Sequence, residues 1–448
     1  MISNYEKMKK YILQIAGIGL LFSACKTNLE PQLISSGEAN FSRFVAVGNS
    51  LASGYSDGAL TLEGQKNSYP KMLAEQFALA GGGVFKVPYM NEGGGNDGSN
   101  NAGRVLGFVT PCNSSIPSLS PILNPKGSTP LNNVAAQGPY NLVAVPGIRA
   151  IDANWNLYSL LNPFLNRFVQ TPGTSTLLSE AMRINPTFFT LWLGNNDVLG
   201  YATEGAPAAS ANPLVPAISD DVAVKVALTT FVDSLTKFGA KGAIANVPDV
   251  TSVPYFTTVP WNSVILTQGK ADTLNQLYAS LSLPITWTAG ANGLLIVDST
   301  QPGFLRKAID KDLILLTTPG DSIRCGGWGV LPDKPLIDRY VLDKDEVTLV
   351  QLATSNYNKS IAELAAAKNL ALVDMNAYMR TITSGIVYNG ITMNAKFISG
   401  GAFSLDGVHP NPRGYALIAN EFIRSINAKY KSSIPYVELT KYKGVLFP

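Results

Sequence analysis

The sequence predicts an α/β fold with a parallel sheet that is covered by helices on both faces. Short apolar segments, typical of strands, alternate along the chain with longer segments of helical periodicity. The strand segments contain few polar residues, which is expected of strands buried on both faces. Glycine, asparagine or proline follows several of these segments and predicts sharp turns at the strand ends.

The first half of the chain contains three predicted strands and one helix. Residues 44–47 are apolar and end at a glycine, which predicts a buried strand that leads into a turn. Residues 68–79 predict a helix, because a proline lies near its start, apolar residues share one face and a glycine follows. Residues 141–145 and 187–193 are again mostly apolar and stop at Pro-Gly and at glycine, so they predict the second and third strands.

The second half continues the alternation. Residues 224–238 place apolar side chains at successive spacings of 4, 3, 4 and 3, which predicts an amphipathic helix. Residues 242–247 and 370–373 predict the fourth and fifth strands. Residues 347–368 and 413–430 predict two further helices, the second of which closes the fold.

Two stretches do not fit this alternation. Residues 85–139 are rich in Gly, Asn, Ser and Pro, and residues 250–345 contain only short periodic runs. Loops of such length inside a domain are usually functional or disordered. We interpret both stretches as insertions around a site in a domain of residues 41–431, with 432–448 as a tail. Surface decoration is the alternative for the two insertions.

The N-terminus has the pattern of an export signal. Three lysines within the first ten residues precede the apolar stretch Tyr11–Phe22, which is too short to span a membrane. Phe22-Ser23-Ala24-Cys25 then resembles a bacterial lipobox. The pattern predicts a signal peptide over residues 1–24, a lipidated Cys25 and a linker over 25–40. An ordinary secretory signal is the alternative.

Composition excludes some classes of protein. Hydrophobic residues make up 46% and charged residues 15% of the 448 residues, which indicates a globular chain with a large core. The net charge is +3, and no stripe of Lys and Arg alternates with aromatic residues, so nucleic acid is not an expected partner. An exported compartment is oxidising, so we expect Cys112 and Cys325 to pair; two separate buried thiols are the alternative.

The single histidine of the chain, His409, is the candidate general base. It lies in Asp406-Gly407-Val408-His409-Pro410, where Asp406 is close enough to orient the ring. Ser50 follows the first predicted strand, at a turn where a nucleophile is accessible. Taken alone, a serine after a strand more often caps a helix.

Two further turns after strands contain candidate oxyanion donors. Gly147 can bring a backbone N–H close to a substrate, although Pro-Gly is usually only a turn. Asn196 in Gly194-Asn195-Asn196-Asp197 can donate from its side-chain amide, although Asn-Asp alone is more often a turn. In parallel sheets, ligands bind at the carboxyl ends of strands, where Ser50 and both donors are expected.

These residues occur in the order of the SGNH or GDSL hydrolases, and their local sequences resemble that family. Gly48-Asn49-Ser50-Leu51 resembles its first block, with Asn49 where the family usually has Asp. Asn141 with Pro146-Gly147 resembles the second block, and Gly194 to Asp197 the third. The segment Asp406 to Pro410 resembles the last. The resemblance extends from about residue 43 to residue 430.

The resemblance implies a flavodoxin-like, three-layer α/β/α fold and acyl-ester hydrolysis. It implies that Ser50 is the nucleophile, His409 the base and Asp406 the residue that orients the imidazole. It also implies an oxyanion hole made by the N–H groups of Ser50 and Gly147 and the amide of Asn196. Asn49 replaces an aspartate that takes no part in the chemistry.

The sequence therefore predicts an exported serine esterase, attached to the bacterial cell envelope through a lipid at Cys25. Its expected partners are an ester substrate, either a small molecule or a glycan, and the membrane. A carbohydrate O-acetylesterase is one alternative, and a non-catalytic lipoprotein that binds glycans or lipids is another.

No cofactor is expected. Gly93 to Gly98 satisfies a dinucleotide-binding pattern by letter, but no helix is predicted after it. One histidine and two mature cysteines are too few for an ordinary zinc site, so no metal is expected.

Overall fold

The computed structural model describes residues 33–207 and 217–448. Residues 35–448 form one unit. Strands β1 to β15 are Phe44–Gly48, Arg104–Val109, Ser118–Leu123, Leu142–Ala144, Phe188–Trp192, Lys241–Ala245, Val264–Leu266, Gly290–Asn292, Leu295–Val297, Leu305–Lys307, Leu313–Ile314, Val341–Leu342, Ala371–Val373, Ile386–Tyr388 and Ile391–Met393. The predicted signal peptide and Cys25 lie outside the described residues.

The helices frame these strands. Helices α1 to α14 are Ser50–Ser53, Leu62–Lys66, Tyr69–Ala78, Tyr158–Leu161, Pro163–Asn166, Leu177–Met182, Asn196–Thr203, Asp221–Thr236, Pro254–Thr257, Gln268–Ser280, Gly320–Arg324, Lys344–Ala367, Met375–Ser384 and Pro412–Tyr430. Short 3-10 turns are Ala135–Gln137, Val250–Ser252, Pro302–Phe304, Asp338–Tyr340 and Leu439–Lys441. Within the described residues, no helix has the length and hydropathy needed to span a membrane.

A five-stranded sheet in the order β13-β6-β5-β1-β4 forms the centre, and all its neighbouring strands run parallel. The predicted α/β fold with a parallel sheet is therefore confirmed. The five predicted strands form this sheet, with ends that differ from the prediction by one or two residues. Such differences of one or two residues are expected, because the ends of elements are the least sharply defined part of secondary structure.

Helices cover both faces of the sheet, as in a three-layer sandwich. Helices α3 and α14 pack together on one face. There the ring of Phe77 in α3 contacts Phe44 of β1 and Phe188 of β5, with ring centroids 5.0 and 5.7 Å apart. Helices α6, α8 and α12 cover the other face, where Phe231 of α8 is fully buried. Since both faces are covered, the strands contain almost only apolar residues.

The two predicted insertions contain structure of their own. Strands β2 and β3 form an antiparallel hairpin in the first insertion. The second contains a separate hydrophobic cluster around the buried Tyr278 and Trp287, whose rings lie 5.8 Å apart. Cys112 of the first insertion and Cys325 of the second are joined by a disulfide with an S–S distance of 2.08 Å. The bond therefore crosslinks the two insertions.

Candidate active site

The turn after β1 presents Ser50 at the carboxyl end of the sheet. Asn49 caps helix α1, because its Oδ1 accepts a hydrogen bond of 3.0 Å from the amide of Leu51. Ser50 is consequently the first residue of the helix, where a backbone N–H has no intrahelical acceptor. The serine is 6% exposed.

The loop before α14 contains His409 and Asp406. Asn411 caps this helix by accepting a hydrogen bond of 3.0 Å from the amide of Gly414, and Pro412 follows it in the first turn. The amide of Asn411 donates to the carbonyl oxygen of Ala402, which closes the loop. This closed loop fixes the position of His409 relative to the helix.

Ser50, His409 and Asp406 form a continuous hydrogen-bonded chain. His409 Nε2 lies 2.8 Å from Ser50 Oγ, and His409 Nδ1 lies 2.9 Å from Asp406 Oδ2. An ionised carboxylate can only accept, so Nδ1 carries the proton of the neutral ring and Nε2 is left to accept from the serine hydroxyl. This arrangement can transfer the proton of Ser50 to His409.

Asp406 is held in place by several donors. Its Oδ1 accepts from the amides of Val408 and His409 at 2.9 and 2.8 Å, and from Ser404 Oγ at 3.1 Å. Its Oδ2 also accepts from the amide of Gly58 at 3.0 Å. Burial acts to raise the pKa of Asp406, but the charge of His409 and the hydrogen bonds from His409 and Val408 lower it to about 2. Asp406 therefore stays ionised at neutral pH.

Asn196 and Gly147 come from neighbouring turns. The Asn196 side chain donates one hydrogen bond of 2.9 Å to the carbonyl oxygen of Ile148, which leaves its second amide hydrogen for another acceptor. Gly147, the residue before Ile148, has φ +80°, a backbone conformation that residues other than glycine rarely adopt. Ser50, Asn196 and His409 line one pocket.

Buried polar side chains tie the strand-end turns together. Asn49 Nδ2 donates to Asn195 Oδ1 at 3.0 Å, which joins the turns after β1 and β5. Asp197 Oδ2 accepts from the amide of Ala150 at 2.7 Å, which joins the turns after β5 and β4. Burial raises the pKa of Asp197 to about 6. These contacts hold the three turns in a fixed arrangement.

The pocket beside Ser50 has a volume of about 80 Å³ and a mostly apolar lining. Helix α13 lines it with Met375, Tyr378, Met379 and Ile382, which lie on one helical face. Its other apolar lining residues come from β5, α1, α7, α14, the segment after β6 and the loop before α14, and are Leu51, Trp192, Leu199, Pro248, Val250, Val253, Ala402, Phe403, Val408, Pro410 and Ile418. The pocket can hold an apolar group next to the serine.

Several residues of this site were not predicted from the sequence. Helix α13 was not predicted, although Asp374 before it is a recognisable N-cap. Tyr55 packs against the imidazole of His409 with ring centroids 4.8 Å apart. Asp57 contacts the loop of Asp406; its one sequence signal is the Asp-Gly turn. Within residues 33–207 and 217–448, no group of three or more His, Cys, Asp or Glu side chains could hold a metal ion.

Comparison with known proteins identifies a family. The sequence model described as GDSL-like lipase/acylhydrolase matches residues 44–422. No curated protein matches the chain.

Several solved structures are similar at low identity. A lipase/acylhydrolase from Enterococcus faecalis is 13% identical, with 88% of this chain and 100% of that chain covered and a TM-score of 0.33. An acetylxylan esterase from Geobacillus stearothermophilus is 10% identical over 88% and 96%, with a TM-score of 0.36. An extracellular lipase from Streptomyces rimosus is 11% identical over 86% and 98%, with a TM-score of 0.33.

The pairing of Asn49 with Asn195 generates a stability prediction. Asn49→Ala removes a helix cap and also leaves the buried Asn195 Oδ1 without its donor. We expect the free energy of unfolding to fall by about 2–4 kcal/mol. Asp220→Ala is the matched control, because exposed Asp220 only caps α8, and its loss should cost about 1 kcal/mol. Chemical denaturation measures both; equal losses would contradict a stabilising role for the Asn49–Asn195 contact.

Proposed function

The chain belongs to the GDSL-like lipase/acylhydrolase family and is a carboxylic ester hydrolase; from this premise we propose that it works through a triad of Ser50, His409 and Asp406. The observation that carries the proposal is the unbroken chain of hydrogen bonds from Ser50 Oγ through both ring nitrogens of His409 to Asp406. A nucleophile, a base and a group that orients the base are thereby in contact.

In the proposed mechanism, Ser50 Oγ attacks the carbonyl carbon of the ester while His409 Nε2 takes its proton. Collapse of the tetrahedral intermediate breaks the bond to the alcohol, which leaves with the proton from His409. Water then attacks the acyl-serine with His409 again as base, and the carboxylic acid is released. Asp406 keeps the ring in the required tautomer and stabilises the imidazolium that forms in each half-reaction.

The proposed oxyanion hole consists of the backbone N–H groups of Ser50 and Gly147 and the side-chain amide of Asn196. Support comes from the helix-start position of Ser50, the free amide hydrogen of Asn196 and the link from Asn196 to Ile148. Because these donors are fixed before the substrate binds, they can stabilise the developing negative charge without reorganisation.

The pocket supports an acyl chain longer than acetyl. Its volume of about 80 Å³ corresponds to roughly six water-sized groups, since one such group needs about 10–15 Å³. The methyl group of an acetyl ester would fill only about one of these six positions. We therefore favour an esterase for short and medium acyl chains over a carbohydrate O-acetylesterase.

We also propose that the protein is exported and attached to the bacterial envelope by a lipid at Cys25. The support is the lipobox-like Phe22-Ser23-Ala24-Cys25 after a basic and an apolar stretch. The Cys112–Cys325 disulfide is consistent with an oxidising compartment.

Ser50→Ala should reduce the turnover of a short p-nitrophenyl ester by at least about a thousandfold, because the nucleophile is lost. The matched control is Ser53→Ala in the same helix, where the hydroxyl only donates to the carbonyl oxygen of Ser50. The control should keep most of its activity, and circular dichroism checks that both variants fold. Turnover by Ser50→Ala at the parent's rate would rule out Ser50 as nucleophile. A parent inactive on every ester would favour the non-catalytic alternative.

A series of esters with increasing acyl length tests the pocket. Burial of one methylene stabilises by about 0.8 kcal/mol, so kcat/KM should rise about fourfold per carbon from the acetate until the pocket is full. Ile382→Trp should fill the pocket and remove this rise, while the acetate is still hydrolysed. The neighbouring Thr381 is exposed, so Thr381→Trp is a matched control. A parent with highest kcat/KM for the acetate would favour the O-acetylesterase.

Cys25→Ser tests the anchor, because lipidation needs the thiol. The parent should incorporate a labelled fatty acid and fractionate with membranes, whereas the variant should be unlabelled and either soluble or unprocessed. Cys112→Ser is a control for the loss of a cysteine and should retain the label. An unlabelled parent would exclude the lipid anchor and leave an ordinary secretory signal.

A further inference from the structure

The turn after α1 is joined to the loop of the triad acid by three hydrogen bonds. The amide of Asp57 donates to Ser404 Oγ at 2.9 Å, and the amide of Leu405 donates to Asp57 Oδ1 at 2.9 Å. The third bond is that from the amide of Gly58 to Asp406 Oδ2. The nucleophile segment and the acid segment are thus connected directly, although about 348 positions separate them in the sequence.

We propose that Asp57 is a positioning residue for the triad: its carboxylate holds the Asp406 loop against the nucleophile segment, and its negative charge stabilises protonated His409. This inference rests on the proposed triad. The proposed active site thereby contains a second carboxylate, that of Asp57. This carboxylate touches neither the imidazole nor the serine but acts on both through the Asp406 loop.

The geometry gives Asp57 a role in orienting Asp406. Its side chain accepts from the amide of Leu405, directly before Asp406, and its own amide reaches Ser404, whose hydroxyl donates to Asp406 Oδ1. Asp57 adopts φ +53°, a left-handed conformation that Asp tolerates better than most residues. Loss of the carboxylate would leave the Leu405 amide without this acceptor and loosen the backbone beside the triad acid.

The charges around Asp57 belong mainly to the triad. Burial raises the pKa of Asp57, the Leu405 amide lowers it, the charge of Asp406 raises it and that of His409 lowers it, with a result of about 6. Tyr415 of α14 also faces it, and burial raises the pKa of that phenol well above its usual value, so Tyr415 remains neutral. The backbone amide of Arg104 in β2 donates a hydrogen bond to the carbonyl oxygen of Asp57.

The sign of the effect follows from these charges. Above a pH of about 6 Asp57 is ionised, and its charge attracts the proton that His409 takes from Ser50. Below that pH Asp57 is protonated and this attraction disappears. The interaction between two titrating groups is mutual. Since the positive charge of His409 lowers the pKa of Asp57, ionised Asp57 in turn favours the protonated form of His409.

The test compares Asp57→Asn with Asp57→Ala. Asparagine keeps an oxygen that can accept from Leu405 but has no charge, whereas alanine loses both. Glu63→Gln is the control, because exposed Glu63 lines the same cleft as Asp57 but its carboxylate accepts from Asn67 and not from the Asp406 loop. His409 is the single histidine, so NMR of histidine-labelled protein without a histidine tag follows its titration directly.

In Asp57→Asn, we expect His409 to bind its proton about threefold more weakly, because a neighbouring negative charge is lost. Its NMR titration and the acid limb of kcat/KM should both move to lower pH. Asp57→Ala should show the same shift and a kcat about tenfold below that of Asp57→Asn, with little change in KM. Glu63→Gln should behave as the parent in both measurements.

Each half of the proposal can fail separately. An unchanged His409 titration in Asp57→Asn would overturn the electrostatic role, and equal kcat values for the asparagine and alanine variants would overturn the positioning role. If Asp57→Ala does not fold, Asp57→Asn still decides the electrostatic role, and Asp57→Gly, which also lacks the acceptor and adopts a positive φ without strain, then replaces alanine for the positioning role. The NMR titration of His409 needs no turnover. A parent without esterase activity would therefore overturn the proposed function, and this result can be told apart from a failure of the role of Asp57.

Discussion

The parallel pairing of β1 with β5 on one side and β4 on the other is the constraint on which the site depends. Parallel strands end at the same edge of a sheet, so the turns after these three strands must meet there. The turn after β1 contains Ser50, the turn after β5 contains Asn196 and the turn after β4 contains Gly147. A change of strand order or direction would separate these residues even if each local sequence were kept.

Strand pairing alone does not fix side chains to a fraction of an ångström, and the turns have additional contacts. Several of these contacts are made by side-chain amides: Asn49 donates to Asn195, and Asn196 donates to the backbone carbonyl of Ile148. An amide both donates and accepts, so one asparagine can cap a helix and reach a neighbouring turn at the same time. This explains how Asn49 serves in a position where the family usually has aspartate, since its oxygen still caps α1.

The sequence was sufficient to predict the parallel sheet, because buried strands and helix periodicity are local signals. It also singled out Ser50, Asp406 and His409, which the structure brings into contact. The lining of the pocket was not predictable from local signals. The apolar face of α13 has the same sequence pattern as a helix face that packs on the core, and only its neighbours in the fold show that it lines a pocket. Asp57 was missed for a related reason: its partner Leu405 is distant in the sequence, and an Asp-Gly pair by itself indicates only a turn.

The separation of Ser50 and His409 by 359 positions also has a consequence for how activity arises during folding. Contacts between such distant segments form late, because a long loop must close before they stabilise anything. Helix α14, which follows His409, packs against α3, and this contact brings the proposed base to the proposed nucleophile. An incompletely folded chain therefore has the proposed nucleophile without the proposed base, and hydrolysis by this mechanism can begin only after α14 has docked.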